Sequence, residues 1–339
     1  MEAYIEGLVI SLSMPVLALI VVVTLITLSK GADLLVNNSV VLSEEMGIPK
    51  MIIGATIVSL GTTLPETSVS VFAALQGNSS MALGNAVGSI ICDTALILGI
   101  STMISPLPIK RDIVNRHGWL QFGAGVLLVL FSVPYSNIGG MFTEGGLLPQ
   151  YIGFILIGLL LAYMYVSIKW AKGSKDEQAA TASEESEKQN KLIILIKLAF
   201  GIALVIFSSK VLIPTVQEVA IRMNVPNSVI AATLVAFGTS LPELVTSVTA
   251  TLKGHGELAI GNIIGADILN VLFVMGSSIA ATKGGVSVPA DFFTLYFPAM
   301  IFVLAVFRIG TLVSKDSLKR PFGFLLLATY VLVSVFSYI

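Results

Sequence analysis

"VAFGTSLPELV" (Val235–Val245) lies inside an apolar segment of membrane length, yet it sets a proline and a glutamate, Pro242 and Glu243, side by side in its middle. A near copy, "VSLGTTLPETS" (Val58–Ser68), stands in the first half of the chain. An offset of 177 residues, as from Gly61 to Gly238, superposes the two strings without a gap. Between 55–99 and 232–276 the offset gives 19 identities in 45 positions. Apolar helices share leucines and valines by chance. They do not share Gly61/Gly238, Pro65/Pro242, Glu66/Glu243, Gly84-Asn85/Gly261-Asn262, Gly88/Gly265 and Gly99/Gly276 at fixed offsets unless the unit has been duplicated.

Composition fixes the class. Of 339 residues, 55% are hydrophobic and 12% charged, against about 25% charged in a soluble domain. Too much apolar surface is present for one soluble core, so the chain reads as an all-α polytopic membrane protein. A span needs about 20 apolar residues. Ten candidates follow: 7–29 (extending towards 41), 51–75, 81–104, 118–134, 147–169, 192–213, 227–252, 258–281, 292–308 and 322–338. The first reads as a retained helix, because no small-residue cleavage site follows it. The polar stretch "KGSKDEQAATASEESEKQNK" (Lys172–Lys191) has no periodicity and reads as a linker. It separates a first transmembrane repeat (1–171) from a second (192–339), five spans each. An odd number of spans per unit makes the second copy enter the membrane from the opposite side, so two inverted five-helix repeats are expected.

Lysine and arginine set the orientation. Of 19 such residues, fifteen fall on the linker's side, Lys210, Arg222 and Lys283 on the other, and Lys30 near the inner end of the first span. The linker is therefore expected in the cytoplasm and both termini outside, in a multi-pass protein of the cell membrane. The net charge of −1 gives no sign of a nucleic-acid partner. One cysteine, Cys92, excludes an intrachain disulfide and reads as helix packing.

The interrupted helices carry the chemistry. Proline lacks an N–H and clashes with the carbonyl four residues earlier, that of Gly61 or Gly238. In lipid an unsatisfied carbonyl costs several kcal/mol, so the break must face protein or a polar cavity. The freed carbonyls and the hydroxyls of Thr62, Thr63, Thr239 and Ser240 are hard oxygen ligands, and Glu66 and Glu243 add charge. Thr62 and Thr239 lie four residues before these glutamates, on the same face if the turn is helical. Calcium takes six to eight oxygens in adaptable geometry, and a carboxylate deep in the bilayer is costly enough to imply function. The next span of each half, "GNAVGSIICD" (Gly84–Asp93) and "GNIIGADILN" (Gly261–Asn270), carries glycines every fourth residue, which allow close helix approach. Asp93 and Asn270 correspond. Ser89, four before Asp93, has Ala266 as its counterpart, and Asp267 is a further carboxylate near Asn270.

These motifs resemble the cation/calcium exchanger superfamily, in its sodium/calcium exchanger branch, over both halves of the chain. The resemblance implies ten helices in two inverted repeats, with Glu66, Glu243, Asp93 and Asn270 around the ion sites. It implies calcium ligands at Glu66, Glu243 and the backbone oxygens of Thr62 and Thr239. Sodium would use Ser89, Thr63, Ser240 and the carbonyls of Ser59 and Ala236. The first and sixth helices would form a sliding gate. No cofactor is expected; Ca²⁺ and Na⁺ are cargo and the lipid bilayer is the surrounding. The chain departs from the pattern at Asp93 and Asn270, which are exchanged, at Ala266 and at Asp267. Coupling to H⁺ or K⁺ is the alternative those departures raise, while the absence of the proton branch's G-N-x-x-E pattern favours sodium. A channel would need ligand rings from several chains, and an enzyme a nucleophile–base pair; neither is evident. His117 and His255 are placed in loops, Asp33 at the interface or a gate contact, Asp291 at a helix start, and Glu184, Glu185 and Glu187 in solvent.

Overall fold

In the computed structural model, residues 2–173, 190–224, 238–314 and 316–336 are described. The linker thus lies almost wholly outside the described residues, as do Ala236 and the first half of the expected span 227–252. The described chain is helical: α1 (Glu2–Ser11), α2 (Met14–Met46), α3 (Lys50–Thr62), α4 (Leu64–Leu75), α5 (Ser79–Ile104), α6 (Arg111–Ser132), α7 (Gln150–Ala171), α8 (Lys191–Arg222), α9 (Leu241–Leu252), α10 (Gly256–Ala281), α11 (Phe292–Val313) and α12 (Arg320–Phe336). Six of these, α2, α5, α7, α8, α10 and α11, are long and apolar enough to cross a bilayer. The protein is a helical polytopic membrane protein.

Burial ranks the helices. The apolar window of α10 is 94% buried and that of α5 72%, against 22% for α2 and 28% for α7. The two glycine-bearing helices are therefore central. The exposed sides of α2, α7, α8 and α12 are rows of Leu, Ile, Val and Phe such as Leu19, Phe154, Ile196 and Phe324. Such surface suits hydrocarbon. α10 packs on α3, and α2 runs along α8.

Glycine lets α10 lie against α3. A Cβ on Gly261 would strike the carbonyl oxygen of Met51, and one on Gly265 would meet Ala55 Cα at 2.6 Å. From the other side, a Cβ on Gly54 would come within 2.8 Å of Asn262 N. Backbone is the neighbour in each case, so no rotamer change can make room.

Local structure repeats at the 177-residue offset. Each helix after the break ends in a left-handed glycine, Gly77 (φ 79°) and Gly254 (φ 77°). The following amide closes the same 6→1 bond, Asn78 N–H to Ala73 O (2.9 Å) and His255 N–H to Ala250 O (2.8 Å). Asn85 Nδ2 donates to Ser70 Oγ (2.9 Å), and Asn262 Nδ2 to Ser247 Oγ (3.2 Å).

Two short antiparallel ribbons join the halves. β1 (Leu107–Pro108) pairs with β4 (Ser317–Leu318), and β2 (Gly146–Leu148) with β3 (Val286–Val288). β1 and β2 flank α6, whose 22 residues span about 33 Å, so the ribbons close opposite ends of the bundle. Polar contacts follow the same partition. With β1·β4 go Lys253 Nζ–Asp33 (2.8 Å), Lys110 Nζ–Glu257 (3.2 Å) and Lys50 Nζ to His255 Nδ1 (3.4 Å). With β2·β3 go Gln150 Nε2 donating to Ala280 O (2.8 Å) and Arg222 donating to the carbonyls of Leu12 (2.6 Å) and Ile10 (2.8 Å).

Three placements differ from expectation. His117 is not in a loop: α6 begins at Arg111, whose charged first turn a hydropathy window discounts, and His117 is fully buried between the rings of Tyr163 and Trp170. α11 runs past Arg308 to Val313. Its guanidinium is held by Asn115 Oδ1 (2.8 Å) and Thr311 Oγ1 (3.2 Å) and stacks over Trp119 at 4.6 Å, so the helix need not end at the charge. Asp291 starts α11 but caps no backbone N–H. Asp33 makes the Lys253 bridge that ties α2 to the end of α9. Both partners are about a third exposed, so Asp33→Ala should lower stability by less than about 1 kcal/mol, read as a small shift in thermal unfolding in detergent.

Candidate functional site

The residue before each restarted helix has one backbone geometry. α3 ends at Thr62, Thr63 takes φ −80°, ψ −1°, and α4 restarts at Leu64. Ser240 takes φ −82°, ψ 9°, and α9 starts at Leu241. Pro65 and Pro242 each sit in a first turn, where the missing N–H does least harm, but the Gly61 carbonyl has no amide to receive at Pro65. Glu66 and Glu243 occupy the same first turns, at the positive ends of α4 and α9, where a carboxylate is favoured.

Both glutamates are 1% exposed, as are Asp93 and Asn270; Asp267 is 2% exposed. The breaks turn them towards one another. Glu66 lies in electrostatic reach of Glu243 and Asp93, and Asp93 of Glu243 and Asp267. The hydroxyls are crossed between halves: Thr239 faces Glu66, while Thr62 and Thr63 face Glu243, and Ser240 faces Asp93. Spacing alone would put Thr62 with Glu66. The kink at Thr63 gives α4 a new axis and hands Thr62 to the opposite glutamate.

Many of these oxygens lack a protein donor. Both carboxylate oxygens of Glu66 and of Asp93, Oε2 of Glu243, Oδ1 of Asp267, Oδ1 of Asn262 and Asn270, and Oγ1 of Thr63 are buried without a hydrogen-bond partner. Buried charge is costly unless it is paired or coordinated. Among the described residues no three Asp, Glu, His or Cys side chains converge tightly enough to clasp an ion alone. A cation here would need hydroxyl, amide and carbonyl oxygens as well.

Further candidates lie around this centre. Ser59, Ser89 and Ser240 are buried. The Ser59 carbonyl accepts Thr62 Oγ1 (3.3 Å) and Thr63 N–H (2.9 Å). Asp93 and Asn270 stand where α5 and α10 loosen into π-helical turns, Cys92–Ile97 and Asn270–Met275. Such turns disturb the carbonyl ladder and recur at functional sites. Cys92 is buried beside them. A cavity of about 230 Å³ reaches the site between α8 and the breaks, lined by Ser209, Lys210, Pro214, Pro65, Thr239 and Pro242 among others.

Sequence reasoning missed several partners. Asn85 bridges the halves, accepting from Thr239 Oγ1 (3.0 Å) and donating to Glu66 O (3.2 Å). Its signal was present: Asn85/Asn262 and Ser70/Ser247 are all retained at the offset. Gln121 on α6, which donates to Asp267 Oδ2 (2.6 Å), and Tyr163 on α7, which donates to Ala55 O (2.9 Å), lie outside the repeat motifs and had none. His255 takes no part: partial burial and Lys50 hold its imidazole below the ordinary value, in a turn far from the breaks.

Comparison with known proteins places these features in context. The family described as "Sodium/calcium exchanger protein" matches residues 16–169 and 193–339. The sodium/calcium exchanger MaX1 of Methanosarcina acetivorans is 28% identical over 341 residues, covering 92% of this chain and 96% of that protein. The inner membrane protein YrbG of Escherichia coli is 30% identical over 297 residues, covering 85% and 88%. Among solved structures, the sodium-calcium exchanger NCX_Mj soaked without Na⁺ and Ca²⁺ aligns with TM-score 0.78 at 23% identity, over 96% of this chain and 100% of that one.

Proposed function

Because this chain belongs to the sodium/calcium exchanger protein family, whose members are transporters and not catalytic enzymes, we propose that it is a secondary antiporter exchanging Na⁺ for Ca²⁺. The observation that carries the proposal is the facing pair Glu66 and Glu243, buried, crossed by Thr239 and Thr62, with oxygens that no protein donor meets. Calcium would be held by these two carboxylates with oxygens of Thr62 and Thr239. Sodium would be held by Ser89, Thr63, Ser240 and the carbonyls of Ser59 and Ala236, with Glu66, Glu243, Asp93 and Asn270 around the ion sites and the three acids among them supplying charge to both ions. Since the two ions share charge, one must leave before the other is stable, and that is exchange. Ca²⁺ and Na⁺ are cargo, and no cofactor is required.

The architecture proposed for this function is ten spans in two inverted halves, 1–171 and 192–339, joined by the linker 172–191. Support comes from β1 and β3, which follow the third span of each half yet lie at opposite ends of the bundle. The end with β1·β4 also gathers Lys50, Lys110 and Lys253, so it is the cytoplasmic end by the charge rule. The linker is then cytoplasmic and the termini outside, in the cell membrane. α2 and α8, packed on each other and lightly buried, form the moving gate. Sites at the meeting of inverted repeats are served by gating of one helix bundle against another around a fixed site.

The test is radiolabelled calcium uptake into sodium-loaded proteoliposomes, with a protonophore present and external sodium replaced by potassium or choline. Uptake that needs the outward sodium gradient and survives the protonophore supports the proposal. Uptake driven by a pH gradient, or requiring potassium, replaces it with the H⁺- or K⁺-coupled alternative that Asp93 and Asp267 raise.

A further inference from the structure

Asp267 differs from the other carboxylates of the site. Its Oδ2 accepts from the Thr94 hydroxyl and from Gln121 Nε2 (2.6 Å), and Gln121 Nε2 also lies 3.3 Å from Thr94 Oγ1. Thr94 is fully buried and Gln121 is 2% exposed. Both donors are neutral. No lysine, arginine or histidine pairs with Asp267 among the described residues, and its Oδ1 is buried without a partner. The cluster is also one-sided. The 177-residue offset puts Ile90 opposite Asp267, Val271 opposite Thr94 and Pro298 opposite Gln121. No such group exists in the first half, so the duplicated motif does not account for it.

We propose that Asp267, propped by Gln121 and Thr94, anchors a separate monovalent-cation subsite beside the calcium site. This deepens the exchanger reading and rests on it. The next residue explains the need: the first half has the Ser89 hydroxyl where the second has Ala266, so the second half lacks one oxygen ligand. A carboxylate one residue on restores an oxygen from another direction and brings a negative charge with it. Two neutral donors fix its orientation without neutralising it. One oxygen and one charge then remain, which suits Na⁺ or K⁺. Calcium needs six to eight oxygens and two balancing charges; Glu66 and Glu243 together offer both charges and up to four of the oxygens. Gln121 and Thr94 are positioning residues: they act through the carboxylate they hold.

The test is thermal unfolding of the purified full chain in detergent and chelator, at constant ionic strength with choline as filler. Sodium and potassium are titrated separately, and calcium in a third series. Wild type should be stabilised by a monovalent ion, the ion with the lower midpoint naming the cargo of the subsite. Asp267→Asn, Gln121→Leu and Thr94→Val should raise that midpoint about tenfold or more, and the Gln121 and Thr94 variants, which keep every carboxylate, should leave the calcium midpoint within twofold. Thr94→Ser, which keeps the hydroxyl, should restore it. An unchanged monovalent midpoint in all three variants overturns the proposal, as does a calcium midpoint that moves equally in the Gln121 and Thr94 variants. If Asp267→Asn does not purify, the Gln121 and Thr94 variants decide alone. Failure of the exchanger reading would look different: wild-type vesicles would take up no calcium against sodium.

Discussion

Glu66→Gln and Glu243→Gln are each expected to lower calcium uptake by about a hundredfold or more, equivalent to about 2.7 kcal/mol of binding, while the protein stays folded. Glutamine keeps the volume and one oxygen but removes the charge. Both carboxylates are 1% exposed, and three of their four oxygens have no protein donor, so charge removal relieves the empty protein and weakens only the ion complex. The variants should therefore unfold at or above the wild-type temperature without calcium and lose the calcium-dependent rise. The crossed geometry adds a second result: Thr62→Val should mimic a mild Glu243 defect. Normal uptake by both glutamine variants would exclude this pair as the calcium site.

Gly265→Val should prevent assembly of the bundle. The new side chain would start 2.6 Å from both Cα and O of Ala55, and backbone cannot move aside as a side chain can. Overpacking usually costs 1–3 kcal/mol; with α10 buried over 94% of its apolar window, the loss should exceed about 3 kcal/mol, or roughly 4 °C in unfolding temperature for a chain of this length. Gly261→Val should behave alike. Gly158→Ala on α7, where a Cβ meets nothing within 4 Å, is the control and should be neutral or gain a few tenths of a kcal/mol. Equal behaviour of Gly265→Val and Gly158→Ala in size-exclusion and unfolding assays would show that α10 and α3 do not meet closely.

Duplication made much of this legible. Pro65/Pro242 and Glu66/Glu243 announced the breaks, and the glycines of "GNAVGSIICD" and "GNIIGADILN" announced the close-packed central pair. What one helix does to itself was readable from spacing. What it does to a helix from the other half was not. Thr62 crosses to Glu243 because ψ at Thr63 falls near 0°, an angle no residue type in that string requires. Gln121 and Tyr163 reach the centre from helices without any motif, and only their packing brings them there. Helix ends erred where a charged turn stays helical, as at Arg111 before His117, and where a guanidinium is held internally, as at Arg308, because hydropathy counts a side chain before its partners are known.

The two ribbons have a mechanical meaning. Each fastens a loop of one half to a loop of the other, and they sit about a helix length apart. A clamshell motion would prise open one fastening while jamming the other. The bundle is a frame bolted top and bottom, and frames of that kind do not hinge. Motion is left to the members that carry no bolt. α2 and α8 bear no strand and lie along the frame like a sash in its track, so under the proposed exchange any opening to either side is expected from their travel, with the walls of the site standing still.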